Sequence, residues 1–256
     1  MNIKLLGAHN CESKNTRFAC LLIDDIIAID AGGLTSSLPF AAQLKLKAIL
    51  LTHQHYDHIK DIPVIAMNFY LSSATIEIYA TATVFDSLTT YLMDGKIYPN
   101  FLERPRKSPT IKFTTIEPLK PLQIWGYSVL PVPVKHSAQA VGYQITSANG
   151  KVLFYTGDTG SDLNECWEHV SPQLLIIEVT GSNRYEESLK EGRHLTPSLL
   201  RRELAVFQKM KGYLPQVVTV HMNPHLKKEL KVEIAAVAAT LNHDITPGYE
   251  GMQIHL

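Results

Sequence analysis

The feature that most constrains this chain is a run of histidines that directly follows an apolar segment. Residues 48–51, Ala-Ile-Leu-Leu, have the length and composition of a buried strand, and Thr52 then leads into H-x-H-x-D-H. An imidazole is costly to bury unpaired, and histidine is a common protein ligand of transition metals. One turn can start two metal sites without completing either, so the fold must bring further ligands to this strand end. The candidate ligands in the turn are His53, His55, Asp57 and His58.

Three more ligand-type residues stand where other β-rich runs end. His136 follows VLPVPVK, Asp158 follows VLFYTG and His221 follows QVVTV. One rim of the predicted sheets could gather all of them, and the two carboxylate oxygens of Asp158 make it the natural ligand to share between two cations. Taken alone, His136 or His221 would be better explained as a hydrogen-bonded core residue. Taken with the first cluster, they predict a site for two metal ions.

The rest of the chain alternates short apolar runs with amphipathic segments in each half. Apolar runs near residues 3, 18, 26 and 47 predict strands, and the same pattern returns after residue 110. Helices are predicted at 61–71, at 83–92, after the N-cap Thr196, and at 226–241. The simplest architecture is two β-sheets packed face to face with helices outside, as a single domain over residues 1–256.

Composition narrows the classes of function. Lys plus Arg and Asp plus Glu both number 24, so no net charge favours nucleic acid or an acidic membrane surface. The N-terminus has no apolar stretch of signal-peptide length, and no run of 18 apolar residues occurs. The three cysteines show no C-x-x-C spacing, which argues against a disulfide framework or zinc ribbon. These features predict a cytoplasmic protein without a membrane partner.

The ligand order resembles the metallo-β-lactamase superfamily from about residue 3 to the C-terminus. The resemblance rests on H-x-H-x-D-H, on His136, on Asp158 in TGDTG and on His221. It implies an α/β fold, an αββα four-layer sandwich with two mixed β-sheets flanked by helices, and a dinuclear site on the sheet edge. Asp30, in AIDAGG, matches a buried aspartate of the family that orients ligands; a simple turn aspartate is the alternative. The resemblance also implies one metal held by His53, His55 and His136, a second held by Asp57, His58 and His221, and Asp158 bridging them. The two divalent ions could be zinc, manganese or iron, because no thiolate is among the ligands.

A second pair of residues flanks the predicted site. Glu178 ends the run LLIIE, and His194 lies just before the helix that Thr196 caps. A Glu–His pair facing the metals is therefore expected, in which the carboxylate orients the imidazole and keeps it basic. Such a histidine could contact a phosphate oxygen or protonate a departing alkoxide. The alternative is an ordinary hydrogen bond at a helix end.

Six short segments together narrow the family resemblance. THQHYDHIKDIP, IYPNF, VGY, TGDTG, IIEV and GRHLTP resemble the class II cyclic-nucleotide phosphodiesterase branch, near ribonuclease Z. The resemblance implies hydrolysis of 3′,5′-cyclic nucleotides to 5′-monophosphates by a hydroxide held at the two metals. His194 would assist the leaving group, with Glu178 and Asp57 as the other catalytic residues. The implied partner is a small phosphodiester such as a cyclic nucleotide, without a stable nucleic-acid complex; a homodimer is left open.

Two weaker expectations concern substrate contacts. Arg184 could contact a phosphate, although a solvent-facing arginine is the simpler interpretation. Tyr98 and Phe101, in KIYPNF, could form an aromatic lip that stacks on a base, although packing is the commoner role of such residues.

Besides a thiolester hydrolase of the glyoxalase II kind, two rival functions remain open. Ribonuclease Z resembles this chain in its ligands and its Glu–His pair, but it looks like an enzyme that grips transfer RNA with an arm inserted between the third histidine and the bridging aspartate. Only 21 residues separate His136 from Asp158 here, which leaves room for one hairpin. The other rival is a metal or oxygen sensor that uses the same dinuclear cage without turnover.

Overall fold

The apolar runs form fourteen β-strands, and the predicted strands are all among them. The computed structural model describes all residues 1–256. The strands are β1 Asn2–Gly7, β2 Cys20–Ile23, β3 Ile27–Ile29, β4 Ala48–Leu50, β5 Ile76–Ala80, β6 Ile111–Thr115, β7 Leu122–Ile124, β8 Tyr127–Pro133, β9 Val141–Thr146, β10 Val152–Tyr155, β11 Leu174–Glu178, β12 Gln216–Val220, β13 Ile245–Pro247 and β14 Gln253–His255.

The strands make two seven-stranded sheets with the same pairing pattern. The first has the order β14-β1-β2-β3-β4-β5-β6 and the second β13-β12-β11-β10-β9-β8-β7. In the first sheet the pairs from β14 to β3 are antiparallel and those from β3 to β6 are parallel. In the second, the pairs from β7 to β10 are antiparallel and those from β10 to β13 are parallel. The two sheets are therefore mixed, as expected.

Nine α-helices accompany the sheets. Their bounds are α1 Leu34–Ser37, α2 Phe40–Gln43, α3 Tyr56–Ile59, α4 Ile62–Leu71, α5 Ala82–Ser87, α6 Asn164–His169, α7 Glu186–Glu191, α8 Pro197–Lys211 and α9 Lys227–Leu241. Helix α5 continues into a π-helical turn, Leu88–Leu92, so the segment predicted as one helix is only partly α-helical. None of these helices is both long enough and apolar enough to cross a membrane.

Helix α8 shows how local sequence sets an element that borders the site. The Thr196 side chain accepts a hydrogen bond from Leu199 N at 3.4 Å, and Pro197 occupies the first turn, where its missing N–H costs nothing. The predicted apolar positions, among them Leu204 and Phe207, are all buried. The helix ends where Gly212 adopts φ 78°, a conformation that glycine takes without strain.

Three apolar clusters hold the layers together. One lies between the sheets, a second between the first sheet and helices such as α4, and a third between the second sheet and helices such as α8 and α9. Central strands such as β4 and β11 are buried on both faces, which explains why β4 is apolar throughout and β11 is apolar at every position before Glu178. The molecule is the predicted αββα sandwich, and the parallel strands of both sheets end near one edge.

Several short elements escape sequence analysis. Strands β7 and β13 have three residues each, and α6 and α7 have six, which is too short for a clear period. The predicted aromatic lip is also wrong in part: Phe101 is 1% exposed and packs in the core against Tyr70 and Tyr98, so it cannot stack on a ligand. The Phe101 carbonyl accepts from Ile111 N at 3.0 Å, which ties this segment to β6.

Candidate metal centre

The histidine turn is held by the glycine-rich turn that follows β3. Ala31 N donates to the His58 carbonyl at 2.7 Å, and Asp61 N donates to the Ala31 carbonyl at 2.9 Å. A Cβ on Gly32 would lie 2.0 Å from the Asp57 carbonyl oxygen, so only glycine permits this approach. Two turns from neighbouring parallel strands are thus locked together, and His53 and His58 are fully buried as a result.

The remaining predicted ligands reach the same edge from the second sheet. His136 follows β8, Asp158 follows β10 and His221 follows β12, and all three strands run in the same direction because β9 is antiparallel to both its neighbours. Each side chain is 3% exposed or less. The structure therefore brings all seven predicted residues together, although their chain positions span more than half the protein.

Their ligand atoms form two overlapping groups. In each, the nitrogen and oxygen atoms lie within 4.8 Å of one another, and Asp158 belongs to both. This is the sharing expected of a bridging carboxylate. The first group is His53, His55, His136 and Asp158, and the second is Asp57, His58, Asp158 and His221.

Unpaired buried atoms in the centre fit a cation. His53 Nε2, His58 Nε2 and Asp158 Oδ1 are buried and have no hydrogen-bond partner. His58 Nε2 lies 3.2 Å from Asp158 Oδ1, but the approach lacks hydrogen-bond geometry. Orphaned polar atoms are expensive inside a protein, and converging imidazole and carboxylate lone pairs are what divalent ions require. The residues present thus fit divalent metal ions, without selecting which metal.

A buried carboxylate orients the histidines of the first sheet. Asp30 is 0% exposed, and its Oδ2 accepts a hydrogen bond from His58 Nδ1 at 2.8 Å. The Thr52 hydroxyl donates its only proton to Asp30 at 3.0 Å, so it must accept from His53 Nδ1, also at 3.0 Å. Both rings consequently carry the proton on Nδ1 and turn Nε2 toward the centre. Asp30 is thus an orienting group, not a simple turn residue.

A second buried carboxylate does the same in the other sheet. Glu178 Oε1 accepts from His194 Nδ1 at 2.7 Å, so the expected Glu–His pair is present. The Thr180 hydroxyl donates to Glu178 Oε2 at 2.6 Å and therefore accepts from His221 Nδ1 at 2.8 Å. Glu178 also accepts from Thr159 N and is fully buried. One carboxylate thereby aligns a ligand histidine and the histidine beside it.

His136 is oriented by backbone and by Arg193. Its Nδ1 donates to the Arg193 carbonyl at 3.2 Å, while the Arg193 guanidinium donates to the His136 carbonyl at 2.8 Å. His136 Nε2 consequently faces His55 Nδ1, at 3.1 Å. The sequence did not indicate a role for Arg193, Thr52 or Thr180. The one signal was their position: Arg193 and Thr52 each adjoin a predicted site residue, and Thr180 lies two positions from one.

The charges of the centre follow from burial and from these contacts. Burial opposes ionisation of Asp57, but the His221 hydrogen bond and the neighbouring imidazoles outweigh it and lower the pKa of Asp57 to about 2. Burial also lowers the pKa of His53 well below its usual range, which favours the neutral ligand form. For His194, burial lowers the pKa, but the Glu178 carboxylate more than offsets this and raises it to about 9.

Two residues near the centre keep the backbone left-handed without being glycine. Asp30 has φ 59° and His221 has φ 60°. Residues other than glycine rarely adopt this backbone conformation, because Cβ crowds the following carbonyl. In both, the hydrogen bonds described above hold the side chain in place.

Comparison with known proteins identifies the family. A profile described as "Beta-lactamase superfamily domain" matches residues 23–222, more than three quarters of the chain. The chain belongs to this superfamily. The matched residues include strands β3 to β12 and all seven clustered residues, so the family and the geometry of the centre agree.

Relatives within the superfamily include phosphodiesterases. The chain is 25% identical over 189 residues to an Aliivibrio fischeri protein named 3′,5′-cyclic-nucleotide phosphodiesterase; the match covers 66% of this chain and 55% of that one. The fold is similar to that of unliganded yeast PDE1, with a TM-score of 0.85, 17% identity and coverage of 100% and 99%. It is also similar to human tRNase Z, short form, with a TM-score of 0.71, 17% identity and coverage of 100% and 99%.

The expectation for Arg184 is corrected by its contacts. Its guanidinium pairs with Glu229 at 3.0 Å and stacks over the Tyr185 ring at 4.8 Å. The Arg184 side chain is about half exposed and contacts neighbouring residues on the protein surface, as the simpler interpretation expects.

Proposed function

We propose that this chain is a metal-dependent phosphodiesterase that hydrolyses 3′,5′-cyclic nucleotides to 5′-monophosphates. The observation that carries the proposal is the Glu178–His194 pair, 2.7 Å apart, set against a cluster that shares Asp158 between two ligand groups. The name of the Aliivibrio fischeri relative and the fold similarity to yeast PDE1 support the substrate class. A single domain over residues 1–256 and a small phosphodiester as the only partner belong to the same proposal.

The proposed ligands divide between two divalent ions. His53, His55 and His136 would hold one ion, Asp57, His58 and His221 the other, and Asp158 would contribute to both. Such ions supply Lewis-acid polarisation of a phosphate ester and make water nucleophilic near neutral pH. Zinc, manganese and iron all suit this donor set.

His194 is the proposed general acid. Glu178 holds its Nδ1, so Nε2 is the nitrogen free to carry a proton to the leaving 3′-oxygen. The ring is stacked 5.5 Å from His221 and lies 5.0 Å from His136, which places it beside both ligand groups. Its side chain is 20% exposed, so a substrate can reach it. A pKa raised to about 9 keeps it protonated near neutral pH.

Asp57 is the most open carboxylate of the two ligand groups, at 24% exposed. Its Oδ2 lies 3.2 Å from His221 Nε2, and its low pKa keeps it ionised. We assign it two tasks: to serve as a ligand and to accept a hydrogen bond from the attacking water. Glu178, which is fully buried, acts only by positioning His194 and His221.

A ribonuclease Z-like activity is the second candidate, favoured by the fold similarity to human tRNase Z. The interval between His136 and Asp158 is filled by β9 and β10, an antiparallel hairpin. That hairpin leaves no arm in the interval where the resemblance implies one.

A substrate panel tests the proposal. Protein with measured metal content is assayed on cyclic AMP, cyclic GMP, a chromogenic linear phosphodiester, precursor transfer RNA and a thiolester. Turnover of a cyclic nucleotide above the other substrates is expected, with the 5′-monophosphate as product. Faster cleavage of precursor transfer RNA would support the second candidate. Two bound ions without turnover of any ester would support a sensor and refute the proposal.

A further inference from the structure

A cavity that none of the seven clustered residues lines is formed partly by the segment that follows His221. Its volume is about 260 Å³, and Met222, the residue after His221, forms part of its wall. The other walls come from the end of β1, the first turns of α9 and the residues after β13. The lining residues are His9, Met222, Asn223, Lys227, Lys231, Pro247, Gly248 and Tyr249.

The polar lining consists almost wholly of hydrogen-bond donors, and no carboxylate is part of it. Lys227 and Lys231 lie one turn apart on α9, so their ammonium groups share a face of the helix. The side-chain oxygen Oδ1 of Asn223 accepts from His225 N at 2.9 Å, and the side-chain Nδ2 has no acceptor within the protein. Tyr249 adds a hydroxyl and an exposed ring.

Neither lysine forms an ion pair with a carboxylate of the protein. The acidic residues of the same helix are engaged elsewhere: Glu229 pairs with Arg184 at 3.0 Å, and Glu233 accepts from Asn183 N at 2.9 Å. Lys227 also stands in the first turn of α9, where the helix dipole disfavours a cation and favours an anion. The position of Lys227 is therefore unfavourable when no ligand is bound and becomes favourable when an anion binds there.

A buried histidine supplies the second, independent indication. His9 is 4% exposed, and its Nδ1 is fixed by Glu250 Oε1 at 2.6 Å. Its Nε2 makes no hydrogen bond within the protein, and the ring forms part of the cavity wall. Glu250 is not among the lining residues, and its Oε1 accepts from both His9 Nδ1 and Arg17 N. The ring is thus fixed through Nδ1, and its Nε2 has no partner within the protein at the wall of the cavity that the lysines also line.

We propose that this cavity is a binding site for a phosphate monoester, separate from the metal centre. Lys227, Lys231 and the Asn223 amide hold the phosphate oxygens, His9 contacts it from below, and Tyr249 lies against the attached organic group. The volume suits a phosphate with a sugar-sized substituent rather than a long polymer. Free inorganic phosphate has the same chemistry, and the experiment separates the two ligands.

Calorimetric titration of the full-length protein tests the site. Inorganic phosphate and AMP are each titrated into metal-loaded protein and into the same protein after chelation, because the metal centre is itself an anion site. Chelated protein is expected to keep one anion site. The double variant Lys227→Ala/Lys231→Ala is expected to weaken binding at that site about tenfold or more, since two charge-assisted contacts are removed.

Lys228→Ala is the matched control, since Lys228 is an exposed neighbour in the same turn but does not line the cavity. It should change affinity less than twofold. Tighter binding of AMP than of phosphate identifies a phosphate monoester as the ligand. Equal loss in the control, or binding only to metal-loaded protein with no effect of the double variant, would overturn the site. Equal affinity for the two probes would overturn the role of Tyr249 and leave free phosphate as the ligand.

Discussion

Replacement of Asp30 by asparagine should reveal how much of the centre depends on one buried carboxylate. The carboxylate accepts from Thr52 N at 2.9 Å, from the Thr52 hydroxyl, from His58 Nδ1 at 2.8 Å and from Tyr155 Oη at 3.2 Å. Asparagine keeps the shape of the side chain but replaces one carboxylate oxygen with an NH₂ group. That group is a donor, and it would face the Nδ1–H donor of His58. The Tyr155 hydroxyl can rotate to accept from the amide, whereas the His58 Nδ1–H bond is lost.

The size of the effect follows from these contacts. A hydrogen bond to a charged acceptor contributes about 1.5–3 kcal/mol, and a buried donor left unpaired costs about 1–3 kcal/mol more. Asp30→Asn should therefore lower the free energy of unfolding of chelated protein by about 2.5–6 kcal/mol. Disorder of His53 and His58 should also weaken metal binding by roughly 10–100-fold.

Asp25→Asn is the matched control, because Asp25 is exposed and has φ 60°, close to the φ 59° of Asp30. Urea denaturation of chelated protein measures stability, and competition with a chromogenic chelator measures metal affinity. If Asp30→Asn behaved like the control in both measurements, the orienting role of Asp30 would be refuted.

Four further changes test other parts of the structure. Asp158→Ala should lose much of the bound metal, measured by atomic absorption, because both ligand groups share that carboxylate; unchanged stoichiometry would contradict sharing. His194→Ala should keep the metals but lower kcat by about 10²–10⁴-fold in steady-state assays, and normal turnover would remove it from the mechanism. Thr180→Val should weaken metal binding about tenfold in chelator competition, while Thr180→Ser restores it; equal losses would argue against the hydroxyl. Asp24, partly buried, accepts hydrogen bonds from Tyr127 and the Asn2 backbone; burial opposes its ionisation, but these bonds outweigh that and lower its pKa. Its stabilisation is therefore complete above its unfolded pKa and is lost as pH falls through the lower folded value, so the urea midpoints of wild type and Asp24→Asn should differ at pH 7 and converge in acid.

The set of ligand residues could be predicted from the sequence, because short local patterns mark each of them. A ligand residue after an apolar run marks a strand end, and His53, His136 and His221 all follow that rule. The cap at Thr196 and the apolar face of α8 are local in the same way. Strands that run in the same direction end at the same edge of a sheet, so the fold itself brings these ligand residues together.

The orientation of the ligands could not be predicted, because it depends on pairs that are far apart in the chain. Nothing near Thr52 indicates that its hydroxyl will donate to Asp30, 22 positions earlier, or that Thr180 will join His221 to Glu178. A threonine after an apolar strand has several uses, and only the three-dimensional contacts select one. Phe101 failed for the converse reason, since aromatic content alone does not show which face of a loop is buried.

The left-handed backbone at Asp30 and His221 is a local cost that the contacts of these two side chains have to offset. Each such position costs about 1–3 kcal/mol relative to a relaxed conformation, and glycine would remove that cost along with the functional side chain. The substitutions that would ease the chain most at these two points are therefore the ones that would dismantle the centre. At Asp30 the lost hydrogen bonds would cost more than the strain relieved, because the carboxylate accepts from Thr52, His58 and Tyr155. A screen for heat resistance should therefore retain this metal-orienting residue.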